Sequence, residues 1–161
     1  MAFLDQSSHL GVKLGCYLIQ LPPSLKFDPG HTANFLREFR EISNVPAVCE
    51  PRHVSWSSQH ASDILSSFQV GIVQADPSPV PQLKDVSAGD VVYLRLHGSP
   101  RIYYSNYDGR QLEEISARIR SYHTKGHEVW CIFDNTALGA ATINALQLQS
   151  SLNNTSDSAV S

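Results

Sequence analysis

Five short, almost unbroken apolar runs constrain this chain more than any other feature: residues 14–21, 45–49, 70–75, 91–96 and 129–133. Each ends abruptly in polar groups. Gln20 closes the first, Glu50, Arg52 and His53 follow the second, Asp76 the third, Arg95 and His97 the fourth, and Asp134 with Asn135 the fifth. Continuous apolarity over four to eight residues suits strands buried on both faces, as in a parallel sheet covered by helices. In such sheets ligands bind outside the carboxyl ends of the strands, where these polar residues gather.

Helical signals alternate with the runs. Asp28-Pro29 supplies an N-cap followed by proline at the first helical position, and Phe35, Leu36, Phe39 and Ile42 then make an apolar stripe at helical spacing. Arg37, Glu38, Arg40 and Glu41 occupy the wet faces of that helix. Further helices are expected over residues 58–68, with Ile64, Leu65 and Phe68 inward, and 110–122, with Leu112, Ile115, Ile119 and Tyr122 inward. The latter stops at Lys125-Gly126. A last helix begins near Ala140 and packs through Ile143, Leu146 and Leu148. The order is a run of βα units. Residues 76–90 hold three prolines and read as an irregular connection, and residues 150–161 as a disordered polar tail, after a domain over 1–149.

At 161 residues the chain has the length of one ordinary domain. A net charge of −3 provides no general attraction for nucleic acid or an acidic membrane. No apolar stretch approaches a membrane span, and the first ten residues lack the layout of a signal peptide. Cys16, Cys49 and Cys131 sit singly inside apolar runs, as expected of buried reduced thiols in a cytoplasmic protein. The chain has no glycine-rich phosphate loop, nucleophile elbow or nicotinamide fingerprint, so no cofactor is named.

Alternation places Arg95 and His97 on one strand face with Val91 and Tyr93, and turns Leu94 and Leu96 towards covering helices. An arginine at a buried strand end needs an anionic partner. One reading has Arg52 and Arg95 binding a substrate carboxylate or phosphate, with Glu50, Asp76 and His97 as candidate catalytic acid–base groups. A second has Glu50 and Asp76 neutralising the arginines. A third has Glu50, Asp76 and His97 as a mixed metal-ligand set, which no short-range ligand spacing supports. Tyr103, Tyr104 and Tyr107, with Arg101, could stack on a sugar or base or anchor a long loop. Gln20, Arg52, His53, Arg95, Tyr104, Tyr107 and Asn135 complete the candidate substrate-binding set.

These strand-end residues resemble the YecE-like family, catalogued as domain of unknown function 72. The resemblance rests on Gln20-Leu21-Pro22-Pro23 with Phe27-Asp28, and on Glu50-Pro51-Arg52-His53 with Ser55-Trp56. It continues through Asp76, Arg95-Leu96-His97-Gly98 with Tyr104 and Tyr107, and Asp134-Asn135-Thr136 with Gly139, Asn144 and Ala145. It covers roughly residues 10 to 149. The family usually has an aromatic where this chain has Pro51, and two asparagines and an aspartate where it has Asp134, Asn135 and Thr136. The resemblance implies a TIM-type (β/α) barrel of uncharacterised activity, here truncated to about its last five strands, with residues 1–11 ending the helix before the fourth. Such a remnant exposes unpaired edges and is expected to self-associate. Three functions stay open: an enzyme of hydrolase or isomerase/lyase type acting on a small anionic or sugar-like molecule, a non-catalytic anion-binding module, and an inactive fragment.

Overall fold

A computed structural model describes residues 2–80 and 90–154. The chain forms α1 (Ala2–Ser8), β1 (Tyr17–Gln20), α2 (Pro29–Ile42), β2 (Ala47–Glu50), α3 (Gln59–Ser67) and β3 (Val70–Ile72). Then follow β4 (Gln74–Asp76), β5 (Val91–Leu96), α4 (Gly109–Thr124), β6 (Glu128–Phe133) and α5 (Ala140–Asn154). Most of the irregular connection expected over 76–90, and the end of the expected tail, lie outside the described residues. Helix α5 itself runs to Asn154.

The strands make two three-stranded sheets, in the orders β1-β2-β3 and β4-β5-β6. Two compact units are built on them. This corrects the expectation of a five-stranded remnant of a TIM-type barrel. The apolar run 70–75 is two strands rather than one, because its partners change at Val73: Ala47 to Cys49 of β2 align with Val70 to Ile72, whereas Gln74 to Asp76 align with Leu94 to Leu96 of β5. An unbroken apolar run records burial, and carries no information about which strand pairs with it.

In the first unit the three strands are parallel, with Gln20 opposite Glu50 and Cys49 opposite Ile72. Asp28 caps α2 by accepting from the His31 N–H at 2.8 Å, with Pro29 in the first turn as expected. Leu36 and Phe39 enter a core with Tyr17, Cys49, Trp56 and Leu65. Phe35 and Ile42, expected inside, are about half exposed. Arg40 is not a wet-face residue either. Its Nε donates to Phe68 O (2.8 Å), Nη1 to Val45 O (2.8 Å) and Nη2 to Gln69 O (2.8 Å), with a longer Nη1 bond to Ser43 O (3.4 Å). One side chain thus holds the segments that follow α2 and α3.

In the second unit β4 and β5 are parallel, and the Asp134 N–H just past β6 donates to Leu96 O. Leu96, Tyr107, Leu112, Ile115 and Leu148 form the core, the side to which alternation assigns Leu96, and Leu94 is buried as well. A reciprocal capping box opens α4: Asp108 Oδ1 accepts from Gln111 N and Gln111 Oε1 from Asp108 N, both at 2.9 Å. On α5 the buried positions are Ala141, Asn144 and Leu148, while Ile143 and Leu146 face outward. No helix among the described residues is long and apolar enough to cross a membrane.

Candidate functional site

Gln20, Glu50, Arg52 and His53 belong to the first unit. Glu50 is buried at the end of β2, and Arg52 Nη2 donates to its Oε1 over 3.4 Å, too long for a strong charged hydrogen bond. Burial, with the Glu50 charge beside it, pushes the adjacent Cys49 thiol up to about 12. His53 opens a short 3₁₀ turn over Val54–Ser57. Its Nδ1 accepts from the Ser55 N–H (3.1 Å) and meets the Ser55 hydroxyl (2.8 Å), whose oxygen accepts from the Phe27 N–H (2.8 Å). Two donors on Nδ1 leave the ring proton to Nε2. Trp56 Nε1 donates to Leu25 O at 3.0 Å, and its ring meets Phe27 edge-on at 5.0 Å. His53, Ser55 and Trp56 therefore lace the loop after β1 to the loop after β2.

Asp76, Arg95, His97, Tyr104, Tyr107 and Asn135 belong to the second unit. Arg95 near the end of β5 and His97 just past it converge on one oxygen. Arg95 Nη2 lies 2.9 Å and His97 Nδ1 3.1 Å from Asp134 Oδ2. A carboxylate oxygen accepts only, so His97 Nδ1 carries a proton. His97 is 4% exposed. Asp134 is legible in the sequence as a strand-end residue, but not as the shared partner. The available signal was the need of Arg95 for an anion, with Asp134 closing the next strand.

The loop from Gly98 to Asp108 is built around this pair. Tyr103 is left-handed (φ +68°), an uncommon backbone for a non-glycine residue that clusters at functional sites. Its N–H donates to His97 O at 2.6 Å, its carbonyl accepts from Ala137 N at 3.1 Å, and its ring meets the His97 imidazole edge-on at 5.8 Å. Tyr104 is exposed, with the Arg101 guanidinium 3.9 Å over its ring.

Tyr107 is buried. Its hydroxyl accepts from Gly98 N (2.9 Å) and donates to Asp76 O (3.2 Å), joining the ends of β4 and β5. Burial above all, and the nearby Asp76 charge, raise its ionisation well above the usual tyrosine range, although the Gly98 N–H opposes them. The Asp76 carbonyl also accepts from His97 N at 2.8 Å.

Asn144 of α5, which the sequence does not orient, donates to Tyr107 O (2.9 Å) and accepts from Tyr107 N (3.2 Å). Asn135, fully buried, donates through Nδ2 to Ser105 O (3.0 Å) and Asn144 Oδ1 (2.9 Å). Both hydrogens of Nδ2 are thus spent on holding the loop, while Oδ1 is buried without a hydrogen-bond partner among the described residues. Among the described residues no group of three or more His, Cys, Asp or Glu side chains is placed to hold a metal ion.

The family model described as protein of unknown function DUF72 matches residues 1–160. A DUF72 family protein from Thermotoga maritima MSB8, solved by crystallography, is similar to the chain with a TM-score of 0.77 and 23% identity. The match covers 93% of this chain and 64% of that one. A second, from Enterococcus faecalis V583, aligns with a TM-score of 0.76 and 25% identity over 94% of this chain and 67% of its own. The chain therefore spans about two thirds of the length of these structures. No curated protein matches it.

Proposed function

The chain belongs to the DUF72 family of proteins of unknown function, and on that footing we propose that it is a small-molecule enzyme whose proton-transfer group is His97. The single observation behind this reading is the convergence of Arg95 and His97 on Asp134 Oδ2. A carboxylate on Nδ1 fixes the imidazole orientation, presents Nε2 as the base, and stabilises the imidazolium formed when a proton is taken up. Arg95 in turn holds Asp134 in place. The left-handed Tyr103 keeps an aromatic edge on the same ring. The substrate is a small anionic or sugar-like molecule, with the exposed Tyr104 and Arg101 available to its ring or charge, and the reaction is of hydrolase or isomerase/lyase type. Arg52 and Arg95 both face protein carboxylates, which favours proton transfer over a purely anion-binding role.

The test is a screen of p-nitrophenyl glycosides and phosphomonoesters with the purified chain, paired with ¹⁵N NMR of the imidazoles. Turnover is expected to fall by about 10²–10⁴-fold in His97→Ala and in Asp134→Asn, whose amide would favour the wrong tautomer, with both variants still folded at the assay temperature. The NMR spectrum should show His97 protonated at Nδ1, and lose that signature in Asp134→Asn. Activity that survives His97→Ala, or a His97 protonated at Nε2 in the unaltered chain, overturns the reading.

A further inference from the structure

We propose that the first unit carries a second, unrelated binding site, for a small amphipathic carboxylate, in the cavity beneath the loop that follows β1. The cavity has a volume of about 300 Å³, at the lower end of the range for small-molecule pockets. Its walls are Ile19 of β1, Cys49 of β2, Leu36 of α2, Leu65 of α3 and the Trp56 ring. Burial keeps the Cys49 thiol neutral across the physiological range, so nothing on this wall asks for a charged guest.

The space is held open by its roof. Leu21 and Leu25 line it, and the segment between β1 and α2 is fixed from the far side by the Trp56 Nε1 bond to Leu25 O and the Phe27 N bond to Ser55 Oγ. Closing the cavity would break both bonds and strand the indole N–H, whose burial without a partner is costly. A pre-formed apolar space of this kind binds without the cost of reorganisation.

The rim supplies the selectivity. Lys26, Asp28, His31 and Thr32 are the cavity's polar lining residues. Asp28 is committed to the helix: its Oδ1 accepts from His31 N at 2.8 Å and lies 3.5 Å from His31 Nδ1. Lys26 makes no ion pair among the described residues. A lysine and a threonine among the residues lining an otherwise apolar cavity match a guest with a hydrocarbon or aromatic body and an acidic head. A wholly apolar guest leaves the rim unused, and a short polar anion leaves the walls empty.

Octanoate, below its micellar concentration, is the probe, with 1-octanol and butyrate as the separating arms. The chain holds two tryptophans, so Trp130→Phe leaves Trp56 as the only indole reporter. Octanoate should shift Trp56 emission saturably and raise the melting temperature. Butyrate should bind at least about tenfold more weakly, since most of the affinity comes from buried apolar area. Lys26→Glu, an exposed substitution that leaves the fold intact, should weaken octanoate about tenfold, a change of 1.4 kcal/mol, and leave the 1-octanol response unchanged. No octanoate-dependent change in emission or melting overturns the proposal. Equal octanoate binding by Lys26→Glu and the unaltered chain, or equal binding of butyrate and octanoate, does so too. None of these results bears on His97, which belongs to the other unit.

Discussion

Gly98 sits where β5 gives way to the loop over His97, and its backbone is one that only glycine adopts readily (φ +93°). A Cβ there would fall 2.8 Å from Ser105 O and 3.1 Å from Asn135 Cβ, both on groups fixed by the Asn135–Asn144 network. Gly98→Ala is accordingly expected to lose about 2–4 kcal/mol in urea denaturation, combining strain and overpacking. A loss under about 0.5 kcal/mol would show that the loop yields. At this scale the sequence disclosed the chemistry of the strand ends and the face shared by Arg95 and His97, both consequences of local alternation. It did not disclose Asp134 as their common partner, nor Asn144 as the anchor of Tyr107. Each contact joins residues 37 to 39 apart, and nothing in local spacing encodes such a distance.

Elements carry the second lesson through Ser55. Its hydroxyl oxygen accepts the Phe27 N–H while sharing its proton with His53 Nδ1, so one small residue ties two strand-end loops together. Ser55→Ala should cost about 1–3 kcal/mol in thermal or chemical denaturation, since the Phe27 N–H loses its acceptor in a part-buried setting. Amide exchange at Phe27 should quicken with it, and an unchanged Phe27 exchange rate would refute that account. Helix positions were legible from caps and spacing: α2 starts at Asp28-Pro29, and α4 ends before Gly126. Helix faces were less so. Phe35 and Ile42 of α2, and Ile143 and Leu146 of α5, are apolar but outward, because a stripe wider than the contact it serves leaves its flanks exposed.

Over the whole molecule, the expected barrel remnant gives way to two three-stranded sheets, since pairing is a property of partners rather than of a run. Each unit also holds a thiol that couples stability to pH, buried at Cys49 and half-buried at Cys131, and Cys16, expected buried as well, is half-buried. Burial raises Cys49 to about 12, and raises Cys131 to about 11 against the pull of Arg118, from an ordinary value near 9. Both folded values lie above the unfolded one, so the thiols favour the native state in full below about pH 9. That contribution is lost as pH climbs towards 11 and 12, where the unfolded chain has already released its protons. Urea unfolding under reducing conditions should show stability falling between pH 8.5 and about 10.5, by at most about 1.4 kcal/mol per pH unit for each thiol. The double variant Cys49→Ala with Cys131→Ala should flatten that slope, and an unchanged slope would assign it elsewhere. Arg40 has a consequence of another kind. It grips the carbonyls of Ser43, Val45, Phe68 and Gln69, and a carbonyl is the same in every residue. The grip itself therefore fixes spacing rather than spelling: a guanidinium of fixed reach acts as a gauge, intolerant of a residue inserted into or deleted from either segment.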